Sequence, residues 1–197
     1  RQRQMCIRDS LGPEKALEAS KFASEVTHYN VVGFGMAGDE KKFNTLDFME
    51  SFNFARNSGL GITTHAGEIC GAKSVDEAIK LGVTRVGHGV RSCESEETIM
   101  NLSKENILLE VCPGSNIALG LYPSLDDHPI NFLFNKDLPI SISTDDPSFF
   151  SRSLSKEYQD LHNVFGWGFE IFSQINKKSL EFAFCEAKLK EELIQQL

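Results

Sequence analysis

The chain has 197 residues, enough for one domain with a substantial core, and the 41% of them that are hydrophobic are typical of a globular protein. Its formal net charge of −8 argues against nucleic acid as a partner, because phosphate binding requires a basic surface. No apolar run approaches the roughly 20 residues that a membrane span requires. We therefore expect neither nucleic acid nor a membrane as a partner, but a small, neutral or weakly charged substrate.

The cysteines show no pairing pattern. They are odd in number, and no two of them have the CxxC spacing of a zinc or redox motif. We therefore expect free thiols in a reducing compartment, which is the cytoplasm. The cysteines are Cys6, Cys70, Cys93, Cys112 and Cys185.

Residues 1–10 do not continue the pattern that follows them. They lack useful periodicity and a clear link to the first helix. We expect a non-native scar or a disordered end, with a genuine but poorly structured terminus as the alternative. Residues 11–197 then form one domain, because no linker or low-complexity segment divides them.

Strands and helices alternate along the rest of the chain. Helical spacing of apolar residues predicts helices over residues 13–27, 46–58, 74–81, 95–106 and 128–135, and again from residue 153 to the end. Ser74 and Glu77 predict a capping box, and residues 112–116 are expected to form a loop. Short apolar, β-branched runs predict five strands, near residues 31, 62, 85, 108 and 140.

This alternation predicts an α/β fold with a parallel sheet. Two architectures compete, an open doubly wound sheet and part of a (β/α)8 barrel, which typically needs about 250 residues. No GxGxxG motif follows the first strand, so the dinucleotide-binding fingerprint is missing. Polar residues at the ends of several strands favour the barrel, whose active sites are built there.

Three predicted strands end on residues that bind metals or transfer protons. The first of these strands ends at His65, with Glu68 just beyond it, the next ends at His88, and a later one ends at Asp145 and Asp146. A metal ion beside an acid is the obvious use of this set. Each signal has a structural alternative, because a strand-end histidine is often a core residue and Asp before Pro often caps a helix.

Six motifs carry a resemblance to a known family. In chain order they are VVGFGMAGDE, THAGE, RVGHGV, LEVCPGSN, HPI and STDDP. Together they resemble the adenosine deaminase family of zinc hydrolases, over residues 11–197. The segments SNIALGLYPSLDDHPI and DDPSFF are more similar to bacterial adenosine deaminases than to the related adenine deaminases.

One family feature is missing from the chain. The family has an early strand with a His-x-His pair that supplies two zinc ligands, and this sequence has no His-x-His. Its first strand resembles the family's fourth. The resemblance therefore implies the C-terminal part of a TIM (β/α)8 barrel, with about the fourth to eighth strands and extra C-terminal helices. The other two zinc ligands would lie on an N-terminal segment that this chain lacks.

The resemblance implies hydrolytic deamination of adenosine to inosine and ammonia, with 2′-deoxyadenosine as a further substrate. One Zn²⁺ per active site would be held by His65 and Asp145. Glu68 would protonate purine N1, and His88 would orient the attacking water and is a candidate acceptor for its proton. Asp146 would bind purine N7, and the backbone N–H of Gly38 would bind N3.

Other interpretations remain open at this point. Glu68 is alternatively a surface acid, His88 a core histidine and Gly38 a turn residue. The reaction is alternatively that of an adenine or other N6-substituted purine deaminase, or of another metal hydrolase on the same barrel. A truncated chain without half of its ligands would be inactive. The resemblance implies a small-molecule purine nucleoside as the partner, and the sequence leaves the oligomeric state undefined. His28, His128 and His162 are expected to be structural or surface residues, and Cys112 a small buried filler.

Overall fold

The computed structural model describes residues 3–8, 11–26 and 30–197, with the backbone alone described for residues 3–8. His28 and the side chain of Cys6 lie outside the described residues. In this part of the chain a single parallel sheet runs in the order β1-β2-β3-β4-β5-β6. Its strands are β1 (Arg3–Arg8), β2 (Val31–Ala37), β3 (Gly61–Ala66), β4 (Arg85–His88), β5 (Leu108–Val111) and β6 (Ile140–Ile142).

Sequential strand order decides between the two expected architectures. Crossovers between parallel strands are right-handed, so a sheet whose order never reverses carries its connecting helices on one face, as a barrel does. A doubly wound sheet would instead reverse its order at a switch point. The fold is thus part of a (β/α)8 barrel, and the prediction of that class is confirmed.

The backbone of residues 3–8 differs from the expectation for the N-terminus. We expected a non-native scar or a disordered end over residues 1–10, and five strands of which the first lies near residue 31. Strand β1 instead pairs in parallel with β2, from Arg3 opposite Val31 to Arg8 opposite Ala37. The described sheet therefore has six strands rather than the expected five. Whether this segment is native stays a prediction.

The helices follow the predicted alternation closely. Ser95 caps α4 as a side-chain acceptor for the N–H of Thr98. The helices are α1 (Pro13–Glu25), α2 (Met49–Asn57), α3 (Ala72–Lys80), α4 (Glu96–Lys104), α5 (Pro113–Ala118), α6 (Ile130–Asn135), α7 (Pro147–Phe150), α8 (Leu154–Phe165), α9 (Phe169–Glu181) and α10 (Ala187–Ile194). Among the described residues, none of these helices is both long and apolar enough to cross a membrane.

Two local predictions are wrong. Helix α3 begins before Ser74, with Gly71 at its N-cap, so Ser74 forms no capping box. Its hydroxyl instead accepts the N–H of Gly67 at 2.8 Å and donates to the carbonyl of Gly71 at 2.9 Å. The expected loop over residues 112–116 contains the start of α5, which Pro113 opens in the favourable first position of a helix.

The core lies between the sheet and its helices. Phe34 of β2 packs edge-to-face on Phe52 of α2, with ring centroids 5.3 Å apart, and both side chains are fully buried. Leu109 of β5 and Leu161 of α8 are also fully buried. Burying side chains of this size contributes about 1.5–3 kcal/mol each, which holds the strands in one register.

Phe184 covers the N-terminal edge of the sheet. It lies between α9 and α10, and its ring stacks on the guanidinium of Arg85, 3.7 Å from Cζ to the ring centroid. A Cβ on Gly61 would lie 2.4 Å from this ring, and one on Gly33 would lie 2.9 Å from it. The two glycines therefore make room for Phe184, and the opposite edge of the sheet is left for the site.

Candidate active site

His65 and His88 meet at the C-terminal edge of the sheet. Strands β3 and β4 pair with Ala66 opposite His88, so the two imidazoles stand side by side. Their ring centroids are 4.9 Å apart and the rings are nearly perpendicular, at 85°. Gly87 permits this arrangement, because a Cβ there would lie 2.5 Å from Cδ2 of His65. His65 is partly exposed, whereas His88 is 1% exposed.

Two of the strand-end residues have an unusual backbone conformation. His88 has φ of 61° and Asp145 has φ of 59°, in the left-handed region that non-glycine residues seldom adopt. Such strain costs on the order of 1–3 kcal/mol and concentrates at functional sites. Both residues turn the chain where a strand gives way to a loop, which directs their side chains to the edge of the sheet.

Glu68 joins the two histidines. Its carboxylate oxygen Oε2 lies 3.5 Å from Nε2 of His88, and the side chain is almost fully buried. One ligand atom each from His65, Glu68 and His88 lies within 4.8 Å of the other two. Burial raises the pKa of Glu68 to about 7, with the charges of Glu40 and Asp145 adding to the shift. A carboxyl group with this pKa carries a proton at neutral pH part of the time, so it is able to donate one.

Glu40 fixes the loop that carries Glu68. One of its carboxylate oxygens accepts the backbone N–H of Glu68 at 3.0 Å. The other accepts the N–H groups of Ile69 at 3.1 Å and Cys70 at 2.6 Å. The pattern in the sequence did not identify Glu40, because its contacts lie 28 to 30 residues further along the chain. The GDE segment within the VVGFGMAGDE motif was the available signal.

Asn116 contacts the ring of His88 through its side chain. The Nδ2 atom of Asn116 lies 3.2 Å from Nδ1 of His88, and both side chains are buried. Asn116 also contacts His128, which is 3% exposed. Burial lowers the pKa of His88 to about 4, and the neighbouring His65 lowers it further whereas Asp145 opposes the shift. His88 is therefore a neutral imidazole at pH 7. Neither Asn116 nor a role for His128 at the site was predicted.

The two aspartates follow β6 on the same edge. Oδ2 of Asp145 accepts a hydrogen bond from the hydroxyl of Ser115 at 2.7 Å. Asp146 occupies the N-cap position of α7, but within the described residues its side chain makes no capping hydrogen bond. The capping alternative for this carboxylate therefore finds no support. Both aspartates are exposed.

All six residues predicted for the site line one cavity. It has a volume of about 710 Å³ and opens at the C-terminal edge of the sheet. Leu119, Ile69 and Phe150 supply apolar walls. Gly38 lies on the rim with φ of 139°, a conformation that favours glycine. The predicted residues on this cavity are Gly38, His65, Glu68, His88, Asp145 and Asp146.

The donor set suits a zinc ion. Imidazole nitrogen and carboxylate oxygen both bind zinc, and catalytic zinc sites combine them. His65 and Asp145 line this cavity and also a second one of about 430 Å³ that extends toward Cys112. The group of three mutually close donors, however, consists of His65, Glu68 and His88. The residues present fit a metal, with His65 common to both possible ligand sets.

Comparisons with known proteins match the whole site region. The family model described as adenosine deaminase matches residues 2–197. The adenine deaminase of Agrobacterium fabrum is 41% identical over 187 residues, which cover 94% of this chain and 58% of that protein.

Solved structures give the same picture. The crystal structure of an adenine deaminase from Arthrobacter aurescens matches with a TM-score of 0.91 at 25% identity, covering 98% of this chain and 59% of that one. The apo N6-methyl-AMP deaminase from Arabidopsis thaliana matches with a TM-score of 0.89 at 27% identity, covering 98% and 56%. The chain thus spans a little over half the length of these proteins.

Proposed function

This chain belongs to the adenosine deaminase family, and from that premise we propose that it forms the C-terminal part of an enzyme that hydrolytically deaminates a 6-aminopurine. The observation that supports the proposal most is the convergence of Gly38, His65, Glu68, His88 and the two aspartates on one cavity. These residues come from four strand ends that are far apart along the chain.

His65 and Asp145 would hold one Zn²⁺, with two further ligands from outside this chain. When bound there, zinc lowers the pKa of water to about 7 and so supplies a nucleophile at neutral pH. The hydroxyl of Ser115 restrains one oxygen of Asp145, and the other oxygen would then bind the ion. Second contacts of this kind orient a ligand before a metal arrives.

Glu68 would deliver a proton to N1 of the purine. A proton on N1 weakens the aromatic resistance of the ring to attack at C6. The carboxyl group is suited to this because burial raises its pKa to about 7, close to the pH at which it would act. Glu40 supports the role by holding three backbone N–H groups of the Glu68 loop.

The remaining residues would position the water and the base. Neutral His88 would orient the attacking water from beside Glu68. Asp146, whose side chain does not cap α7 in the described structure, would bind N7. The exposed backbone N–H of Gly38 would bind N3 at the rim of the cavity.

Two substrates are candidates. The sequence motifs favour adenosine, with 2′-deoxyadenosine as an alternative nucleoside. Adenine is the second candidate, and it is supported by the name of the Agrobacterium fabrum relative at 41% identity. The two candidates differ only in the ribose, so a panel of both substrates separates them.

The test is deamination by a protein of the relatives' length that contains this chain. We expect ammonia release from adenosine or adenine, and a fall in kcat of about 10²–10⁴-fold in Glu68→Gln, the usual range for loss of a general acid. Glu105→Gln, on the exposed C-terminal end of α4, is the matched control. Absence of ammonia release from every 6-aminopurine tested would refute the proposal.

The 197-residue chain alone is expected to be inactive. Of the proposed zinc ligands it would supply only His65 and Asp145, and a catalytic zinc site typically has three protein ligands. The measurement is zinc content and adenosine turnover of the purified chain. Measurable turnover by this chain would show that its own residues complete the site.

A further inference from the structure

A line of hydrogen bonds leads from the backbone to the cavity. It begins at the N–H of Ile130, which lies 3.1 Å from Nδ1 of His128. A backbone N–H is a donor only, so Nδ1 of His128 must accept. The neutral His128 ring therefore carries its proton on Nε2. Burial supports the neutral form, because it lowers the pKa of His128 to about 3.

The next two bonds have only one possible direction. Nε2 of His128 lies 3.1 Å from Oδ1 of Asn116 and donates to it. The amide nitrogen of Asn116 then faces His88, where Nδ2 lies 3.2 Å from Nδ1. An amide NH₂ group is a donor only, so Nδ1 of His88 accepts. The side chains of His88, Asn116 and His128 are all at least 97% buried, so water does not compete for these bonds.

Because Nδ1 accepts from Asn116, it carries no proton, and the proton of the His88 ring sits on Nε2. That atom lies on the cavity side, 3.5 Å from Oε2 of Glu68. We propose that Asn116 and His128 are positioning residues, which hold His88 in the tautomer that presents an N–H group to the cavity. The proposal rests on the proposed deaminase function.

This arrangement selects one of the two roles open to His88. An imidazole that presents Nε2–H holds an oxygen atom by donating a hydrogen bond. It cannot at the same time accept a proton at Nε2, and Nδ1 is already occupied by Asn116. His88 therefore orients the attacking water rather than deprotonating it.

Asn116→Asp is the variant that we expect to reverse the tautomer of His88. A carboxylate keeps the acceptor for His128 but replaces the NH₂ donor with a second acceptor. His88 would then place a proton on Nδ1 to meet it. Asn135→Asp makes the same change at an exposed position in the last turn of α6 and is the matched control.

The direct experiment is ¹⁵N NMR of the chain labelled at histidine, with His88 assigned from the spectrum of His88→Gln. In the parent chain at pH 7 we expect Nε2 of His88 to be protonated and Nδ1 to be unprotonated. In Asn116→Asp we expect a proton on Nδ1, and in Asn135→Asp no change. A proton on Nδ1 of His88 in the parent chain would overturn the proposal, whether or not Asn116→Asp folds.

Kinetics in a protein of the relatives' length provide the second readout. Asn116→Asp is expected to lower kcat by about tenfold or more while KM changes by less than about threefold, because the substrate still binds but the water is misplaced. Parent-like kcat in Asn116→Asp would overturn the positioning role. If the tautomer is as proposed but no variant or parent deaminates a 6-aminopurine, the proposed function fails and the tautomer assignment stands.

Discussion

Burial moves the pKa values of Glu68 and His88 in opposite directions. In water a carboxyl group ionises well below pH 7 and an imidazole loses its proton near pH 6.5. Here burial raises the pKa of Glu68 to about 7 and lowers that of His88 to about 4. Their ligand atoms lie 3.5 Å apart without a full ion pair at neutral pH. An acid with an available proton beside a neutral imidazole is what proton delivery to a bound base requires.

Glu40 allows this arrangement to be perturbed from outside the cavity. Glu40→Gln removes a negative charge and places an NH₂ group against backbone N–H groups that now share two carboxylate oxygens. We expect a loss of about 1–3 kcal/mol in the free energy of unfolding, because hydrogen bonds to a charged acceptor are lost. Urea unfolding measures it, with Glu105→Gln as the exposed control.

Glu40→Gln should also change the pKa of Glu68. Since the charge of Glu40 contributes to the raised pKa of Glu68, that pKa should fall in Glu40→Gln. An unfolding free energy equal to that of the parent chain would mean that Glu40 does not hold the loop.

His128 gives the stability a pH dependence. Its pKa is lowered to about 3 in the folded chain from an ordinary value of 6.5. Below pH 6.5 the His128 imidazole therefore becomes protonated in the unfolded chain, whereas in the folded chain it stays neutral until the pH approaches 3. The contribution of His128 to stability is complete above pH 6.5 and is lost progressively as the pH falls toward 3.

Comparison with His128→Gln isolates this contribution. The variant is expected to be less stable than the parent chain at pH 8, because the bond to Asn116 is altered. The difference between the two unfolding free energies should narrow between pH 6.5 and pH 4. Urea unfolding at a series of pH values tests this, and a difference that is constant with pH would contradict it.

At the scale of elements, strands β2 to β6 were predictable from sequence. Each is a short apolar, β-branched run bounded by glycine or a polar residue, and burial on both faces of a parallel sheet favours such runs. Strand β1 was not predictable, because RQMCIR has no such run. Helix α5 was missed because its sequence, PGSNIA, is short and contains only two large apolar or alanine positions at its end, so no helical spacing of apolar residues marks it.

The site residues likewise divide into those that the sequence predicts and those that it does not. His65, Glu68, His88 and the two aspartates follow strand ends, so parallel pairing brings them to one edge whatever the details of packing. Glu40, Ser115 and Asn116 act through contacts with distant parts of the chain, and the motifs that contain them do not reveal those contacts. His128 was expected to be structural or on the surface, and it is buried against Asn116.

The segment after α9 packs so closely on β3 that it leaves no room for a side chain at Gly61. In Gly61→Ala the new methyl group would lie 2.4 Å from the ring of Phe184. We expect a loss of about 1–3 kcal/mol in the free energy of unfolding, the usual result of overpacking. In the Phe184→Ala background the same substitution should cost less, because the methyl group then has space. A double-mutant cycle by urea unfolding measures the coupling, and strictly additive effects would contradict the contact.

At the scale of the whole molecule, the N-terminal and C-terminal ends of the strands have different roles. Phe184 and Arg85 cover the N-terminal edge, whereas the C-terminal edge opens into the cavity lined by the site residues. This division is typical of barrel enzymes, in which stability and chemistry lie at opposite ends. Strands β1 and β6 are the outermost strands of the described sheet. The relative from Agrobacterium fabrum is longer than this chain, which covers 58% of it.

The proposed zinc site places one ion on His65 and Asp145, beside Glu68. Diffraction at the zinc absorption edge, from crystals of a protein of the relatives' length grown with zinc, tests it most directly. We predict an anomalous peak about 2.0–2.1 Å from a nitrogen of His65 and about 2.0–2.2 Å from an oxygen of Asp145. A peak bound by Glu68 and His88 in place of Asp145, or no peak in this cavity, would refute this zinc site.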